Sequence, residues 1–441
     1  MRRFLDSTFG LARNDNKGAR NDNKGAQNDN FNMKKLLHIN PVLRTSTSTG
    51  RIIQEIGAVA MKEGWDNYIA YSKGRDGVKE SQSKLVPVGS RISVGIHGLL
   101  TRFFDMHGLG SWLATRRFVK EIERLRPDVI HIHNIHGYFL NYKVLFDYLS
   151  KADIPVVWTV HDCWLYTGHC YHYASVGCEK WRTQCEKCPQ KKAFPTSIFL
   201  DRSKQNYIDK KKAFTSLSNL TIVTVSEWMK GEMSHSFLKD CRYQVIHNGI
   251  DLDVFEPQLD DKAVRERYGL GEKHIILGLA SIWSKEKGWD DFVEMSKMLN
   301  EDEVIVMVGV SEEQQKQLPK NIVAIRRTEN VRQLAELYSA ATAFVNPTWQ
   351  DNYPTVNLEA IACGTPVVTY RTGGSVEAVT EKTGYIVEQG DVKGLLEAVR
   401  KIEKKGNLEY KADCRAHALA SFRKEDRYAD YLRLYENLTT R

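Results

Sequence analysis

Short unbroken runs of apolar residues, each followed by a stretch of helical spacing, recur along this chain and then begin again. That doubled alternation constrains the fold more than any other feature. KLLHIN (35–40), NYIAYSK (67–73), DVIHIHN (128–134), VVWTVHD (156–162), TIVTVS (221–226) and YQVIHNG (243–249) make a first series. HIILGLASI, VIVMVGV, NIVAIRR, TAFVNPT, TPVVTYR and TGYIVEQ make a second. Strands that are apolar throughout are buried on both faces, which is the condition of a parallel sheet covered by helices on both sides. Two such series in 441 residues predict two doubly wound, Rossmann-like α/β domains rather than one core. The predicted division is 33–250 and 251–420, followed by a packing helix at 421–441 with Tyr428, Tyr431, Leu432 and Tyr435 on one stripe. Ligands of such sheets lie beyond the carboxyl ends of the strands, so two facing domains put a common site in the cleft between them.

The first 32 residues stand apart. ARNDNKG occurs twice in 12–25 and AQNDN follows as a decayed third copy. Nothing in this composition can be buried, so a disordered extension is expected, with folded structure starting at Met33. MRRFLDSTFG lacks the apolar region of a secretory leader, and no apolar run approaches the roughly 20 residues of a membrane span. The expectation is a cytoplasmic protein. The net charge of +8 comes from basic residues scattered among acids. That favours a diphosphate-bearing small molecule or an anionic membrane surface over a nucleic-acid groove.

The most informative stretch is DNYPTVNLEAIACGTPVV, 351–368, which follows an apolar strand. Pro354 is suited to a first helical position, leaving the N–H groups of Thr355, Val356 and Asn357 free to meet phosphate. Glu359, one turn on, is in reach of a ribose diol, and Asp351, in the preceding loop, of the transferred sugar. SIWSKEKGWDDF, 281–292, follows another strand and supplies Lys285 and Lys287. Gly373 and Gly374 in TGGSVEAV allow close backbone approach, though a plain turn also explains them.

On these residues the chain resembles the family-4 retaining glycosyltransferases of the bacterial surface-polysaccharide type, which have the GT-B fold. The family signature is two glutamates eight positions apart followed by a small-residue run, here ACGTPVV. Asp351 replaces the first glutamate and Glu359 keeps the second. The resemblance implies that Glu359 binds the donor ribose, that Asp351 contacts the donor sugar, and that Lys287 neutralises the diphosphate. Ser281 stands where the family has an arginine, and Lys285 could replace its charge. By the same resemblance His161 lies beside the reacting centre, Gly50 belongs to a loop near the diphosphate, and Ser226 and Asn248 match donor-site positions. Ser48 and Thr49 read as helix caps. The implied reaction moves a sugar from a nucleotide-sugar donor to a hydroxyl of a polysaccharide or lipid-linked oligosaccharide, without a catalytic cofactor. A nucleotide-sugar epimerase of the same fold and a non-catalytic nucleotide-sugar or glycan binder remain as alternatives.

Two further features are left over. Cys170, Cys178, Cys185 and Cys188 fall within a cysteine-rich insertion, 163–190, whose four thiolates could take a structural tetrahedral zinc; packed reduced thiols are the other reading. The segment 92–126 mixes bulky apolar residues with Arg102, Arg116 and Arg117, as either a membrane-surface element or buried helices with basic outer faces.

Overall fold

The computed structural model describes residues 33–45, 47–73, 81–258 and 260–440. The N-terminal repeat, expected to be disordered, lies outside the described residues. Seven parallel strands, β1 (Lys35–Ile39), β2 (Asp66–Ser72), β3 (Lys84–Val88), β4 (Val129–Ile132), β5 (Val156–Val160), β6 (Leu220–Thr224) and β7 (Arg242–Val245), form a sheet in the order β3-β2-β1-β4-β5-β6-β7. Six more, β8 (His274–Leu279), β9 (Glu303–Val308), β10 (Ile322–Ile325), β11 (Ala343–Asn346), β12 (Val367–Tyr370) and β13 (Gly384–Val387), form a second parallel sheet in the order β10-β9-β8-β11-β12-β13. The strand order reverses between β1 and β4 and again between β8 and β11, which opens a crevice beyond each sheet at that point.

The central strands are buried along their whole length, as their unbroken apolar runs require. The sequence reading missed β3. Its KLVPV holds Pro87 and is half exposed, and it sits at the sheet edge, where a missing N–H leaves no ladder bond unmade.

The helix after β1 spans Ser48–Lys62 and buries Ile52, Ile53, Ile56 and Ala60. Its cap is Thr47, whose hydroxyl accepts from the Gly50 N–H at 3.2 Å, so neither Ser48 nor Thr49 fills that role. The C-terminal helix, Lys424–Thr439, packs as expected through its tyrosine stripe, but against the first domain. Tyr428, Tyr431, Leu432 and Tyr435 share an apolar cluster with Leu36, Ile52, Val129, Val157 and Ile246. The chain therefore crosses between the sheets twice, and the crossings touch: Ile250 pairs with Arg423, and the Ile250 N–H donates to the Phe422 carbonyl at 2.9 Å.

Candidate active site

Three strand ends shape the carboxyl edge of the second sheet. Beyond β8, the turn Lys285–Lys287 ends at Gly288, which takes φ +81 and lies so close to Pro347 that a Cβ would come within 2.4 Å of its Cγ. This holds Lys287 over the loop that follows β11, where its Nζ stands 2.7 Å from the Asp351 Oδ2. Lys285, in the same turn, is exposed. Beyond β12, Gly374 N–H donates to the Asp351 carbonyl at 3.1 Å, and Gly373, at φ +50, is pressed against that same oxygen. The two loops can touch only because these residues are glycines.

The helix Thr355–Ala362 starts one residue later than the sequence suggests. Pro354 takes the N-cap position, with φ −70 and ψ 116, and no side chain caps the helix. The Asn357 N–H bonds to the Pro354 carbonyl, while those of Thr355 and Val356 have no protein acceptor among the described residues. One turn on, Glu359 is 5% exposed; its Oε2 accepts from the Tyr338 hydroxyl at 3.2 Å, and its Oε1 lies 3.8 Å from the Arg51 Nη2 of the first domain. Burial pushes this carboxyl up to about 7, against the opposing pull of Arg51, Tyr338 and Thr355.

The first sheet faces this edge with the residues that end β5 and β6. His161 follows β5, and its main-chain carbonyl accepts from the Asn352 Nδ2 of the second domain at 2.6 Å. Burial lowers the His161 imidazole to about 4, so the ring is neutral at ordinary pH. Next to it, Asp162 lies 2.9 Å from the His136 Nε2; burial acts to raise its carboxyl, but His136, the Trp164 N–H and His172 together outweigh this and hold it at about 2.

Several expected contacts are redirected. Ser226 is fully buried, and its hydroxyl accepts from the Met229 N–H at 3.1 Å, capping the helix Glu227–Met233. Its Cβ lies 2.9 Å from where a Gly374 Cβ would stand, which makes Gly374 a point of contact between the domains. Gly50 is likewise buried, packed against the Arg44 carbonyl. Asn248 is buried just ahead of the first crossing.

Sequence reasoning missed Arg51, Tyr338, Asn352 and Glu377. Arg51 did carry a signal, because a cation in the first turn of a helix opposes the helix dipole and needs a partner. Glu377 accepts from the Glu227 and Trp228 N–H groups at 2.9 and 2.7 Å, and its Oε2 lies 3.2 Å from the His247 Nε2. It thus closes a helix N-terminus belonging to the other domain.

The cysteine insertion does not build the closed zinc site that the sequence suggested. Cys170, Cys178, Cys185 and Cys188 line one void of about 10 Å³, yet no three of their sulfurs lie within 4.8 Å of one another. Tetrahedral ligation at about 2.3 Å per sulfur needs closer approach. The thiols find other partners: Cys185 accepts from the Gly168 N–H at 3.2 Å and is pushed up by burial to about 11. Cys170 and Cys188 act on one another, the first thiol being raised and the second lowered.

Known proteins match along this whole frame. Residues 49–254 match the family described as Glycosyltransferase Family 4, and residues 273–405 match Glycosyl transferases group 1. The putative colanic acid biosynthesis glycosyl transferase WcaC of Escherichia coli is 26% identical over 352 residues, covering 77% of this chain and 84% of the relative. The capsular polysaccharide biosynthesis glycosyltransferase CapM of Staphylococcus aureus is 26% identical over 41% of this chain and 51% of its own length. Among solved structures, sucrose-phosphate synthase from Thermosynechococcus elongatus superposes with a TM-score of 0.68 at 17% identity, covering 92% of this chain and 99% of that one. Anabaena HepE, in complex with UDP and glucose, gives 0.64 at 15%, covering 92% and 100%. The two family matches fall in turn on the two parallel-sheet domains of a GT-B fold, and the chain belongs to the family 4, group 1 glycosyltransferases.

Proposed function

We propose that this glycosyltransferase moves a hexosyl group, with retention, from a UDP-sugar to a hydroxyl of a polysaccharide or lipid-linked oligosaccharide in the cytoplasm. The observation that carries the reading is the meeting of Lys287 and Asp351 beside the uncapped start of the helix Thr355–Ala362, with the Glu359 carboxylate one turn further on. The ammonium of Lys287 and the amides of Thr355 and Val356 take the diphosphate, and Glu359 takes the ribose hydroxyls. Asp351 orients the ammonium and meets the sugar, with His161 on the opposite wall. In the reaction the bond from the sugar C1 to the diphosphate oxygen breaks and the acceptor oxygen bonds to C1 on the same face. The acceptor proton passes to the leaving phosphate oxygen, whose growing charge the cation and amides offset. HepE, solved with UDP and glucose, and WcaC, named for colanic acid synthesis, support the donor and acceptor classes.

A membrane-bound acceptor fits one face of the first domain. The helix Arg91–Phe104 buries only His97 and Thr101, leaving Ile92, Ile96, Leu99 and Phe104 exposed. Trp112 and Leu113 of the helix Trp112–Leu125 are exposed too, and Phe199 stacks on Phe103 at 5.6 Å, adding Phe194, Ile198 and Leu200. Arg91, Arg102, Arg116, Arg117 and Lys120 are exposed in the same two helices. Apolar side chains with basic neighbours suit an anionic lipid surface. No helix among the described residues is long and apolar enough to cross a membrane.

The test is turnover with UDP-, GDP- and ADP-sugars, with and without a lipid-linked glycan acceptor, the anomer of the product being read by NMR. Acceptor-dependent transfer from a UDP-sugar to an α-linked product from an α-donor is expected. Epimerised sugar without acceptor, or binding without turnover, would overturn the reading.

A further inference from the structure

Histidines on neighbouring strands of the first sheet touch. His38 of β1 and His131 and His133 at the end of β4 bring ring nitrogens within 4.8 Å of one another, and all three are buried. Three imidazoles suggest a metal, but nearly every nitrogen is already engaged. His131 has Nδ1 at 2.6 Å from the Tyr435 hydroxyl and Nε2 at 2.8 Å from the Thr159 hydroxyl. His133 has Nε2 at 3.2 Å from His38 Nδ1 and Nδ1 at 3.1 Å from His161 Nε2. In this group only His38 Nε2 is sealed off without a partner among the described residues. The outcome is a chain, His38–His133–His161, that runs from the interior to the first residue beyond β5, where Asn352 of the opposite domain makes contact.

Burial holds His38 at about 3 and His161 at about 4, and His133 well below the usual imidazole value, so all three rings are neutral. A neutral imidazole has one N–H and one lone pair, which leaves two orders for the protons. If each ring donates outward from Nδ1, the chain ends inside on a bare lone pair of His38 and outside on a His161 Nδ1–H. If each donates inward, an N–H of His38 is stranded in the core. Stranded buried N–H groups are rarer in proteins than unfilled acceptors, so the outward order is favoured.

We propose that His38 and His133 are positioning residues that fix His161 as its Nδ1–H tautomer, so that it presents a hydrogen-bond donor to an oxygen of the bound nucleotide sugar. This rests on the placement of His161 beside the donor sugar. An acceptor-type His161 would instead repel the lone pairs of a phosphate or a carbonyl oxygen.

Long-range proton–nitrogen NMR spectra of the histidine-labelled full chain, assigned with His38→Asn, His133→Asn and His161→Ala, read the tautomers without any substrate. The expected result is Nδ1–H at His38, His133 and His161. An Nε2–H at His161 overturns the proposal, and so does a stoichiometric metal ion that His38→Leu removes. Kinetics give a second readout. Asparagine places an amide N–H where the Nδ1–H of His133 stood, whereas glutamine places its amide at the Nε2 position. His133→Asn should keep kcat within about threefold, and His133→Gln should lower it about tenfold with the acceptor KM unmoved. Equal losses in two variants that melt like the wild type would overturn the proposal. Should the chain turn over no nucleotide sugar at all, the spectra still decide the tautomer, so that failure is distinguishable from this one.

Discussion

The Arg51 guanidinium of the first domain stands 3.8 Å from the Glu359 carboxylate of the second, a charged link between the domains at the donor helix. Glu359 is almost wholly buried, so its charge is costly even with Arg51 nearby. Its folded-state value of about 7 lies above the ordinary 4.5. The folded protein therefore holds this proton more tightly than the unfolded chain. The stability so gained is complete below about 4.5 and is lost as the pH rises through about 7. Glu359→Gln should lack this slope, gaining about 2–3 kcal/mol on the wild type between pH 4.5 and 8 in urea titrations. Its kcat/KM should fall about 10- to 100-fold, as expected for lost charge-assisted bonds to the ribose.

Lys287→Ala separates stability from activity. The pair with Asp351 is partly exposed, with side chains 41% and 20% accessible, and so contributes less than about 1 kcal/mol to folding. If the ammonium meets the leaving diphosphate, kcat/KM should drop about 10²- to 10³-fold while the melting temperature barely moves. A drop of less than fivefold would remove Lys287 from the site.

Gly374→Ala should disturb the junction between the domains. The added methyl would come within 1.9 Å of the Asn352 carbonyl and 2.9 Å of the Ser226 Cβ, so a loop must move. A cost of about 1–3 kcal/mol in chemical denaturation is expected. Limited proteolysis should quicken in the loop 347–354.

Glu377→Gln should act at the same junction with a pH signature. Burial acts to raise this carboxyl, but His247 and the two amides outweigh it and hold it below its ordinary value. Its stabilising effect is therefore present at neutral pH and is lost as the pH falls through the lowered folded value. The variant should be about 1–3 kcal/mol less stable at pH 7 and should converge on the wild type in acid, as read by thermal melts across pH.

The exposed face of Arg91–Phe104 predicts lipid binding. Sedimentation with phosphatidylglycerol vesicles should retain the wild type. Ile96→Glu with Leu99→Glu should weaken retention at least tenfold, since each apolar side chain contributes about 1.5–3 kcal/mol when buried. Arg116→Glu with Arg117→Glu should weaken it mainly at low salt. Retention on neutral vesicles equal to that on anionic ones would rule out the basic residues as contributors.

Much of this was legible in the residues themselves. The apolar runs from Lys35 to Val245 and from His274 to Val387 gave both sheets, because a doubly covered strand has no polar face to confuse the pattern. β3 was lost because Pro87 and half exposure are the marks of an edge. Asp351 and Glu359 stood out because they share one local motif at a helix start, and Lys287 because it precedes a glycine in a second loop, 64 positions upstream. Glu377 did not, since its partners lie about 150 positions away in sequence; Arg51 showed only as a cation in a first helical turn, its partner about 300 positions on. Ser226 has a second, local reading that the resemblance passed over: a serine ahead of a helix is commonly that helix's cap.

The two crossings between the domains lie side by side, with Ile250 paired to Arg423. Two adjacent straps leave free a rotation about the line that joins them and resist rotation about axes perpendicular to it. The Ile250–Arg423 pair would be the spine of any opening of the two domains, and Gly374 and Ser226 the point where they touch.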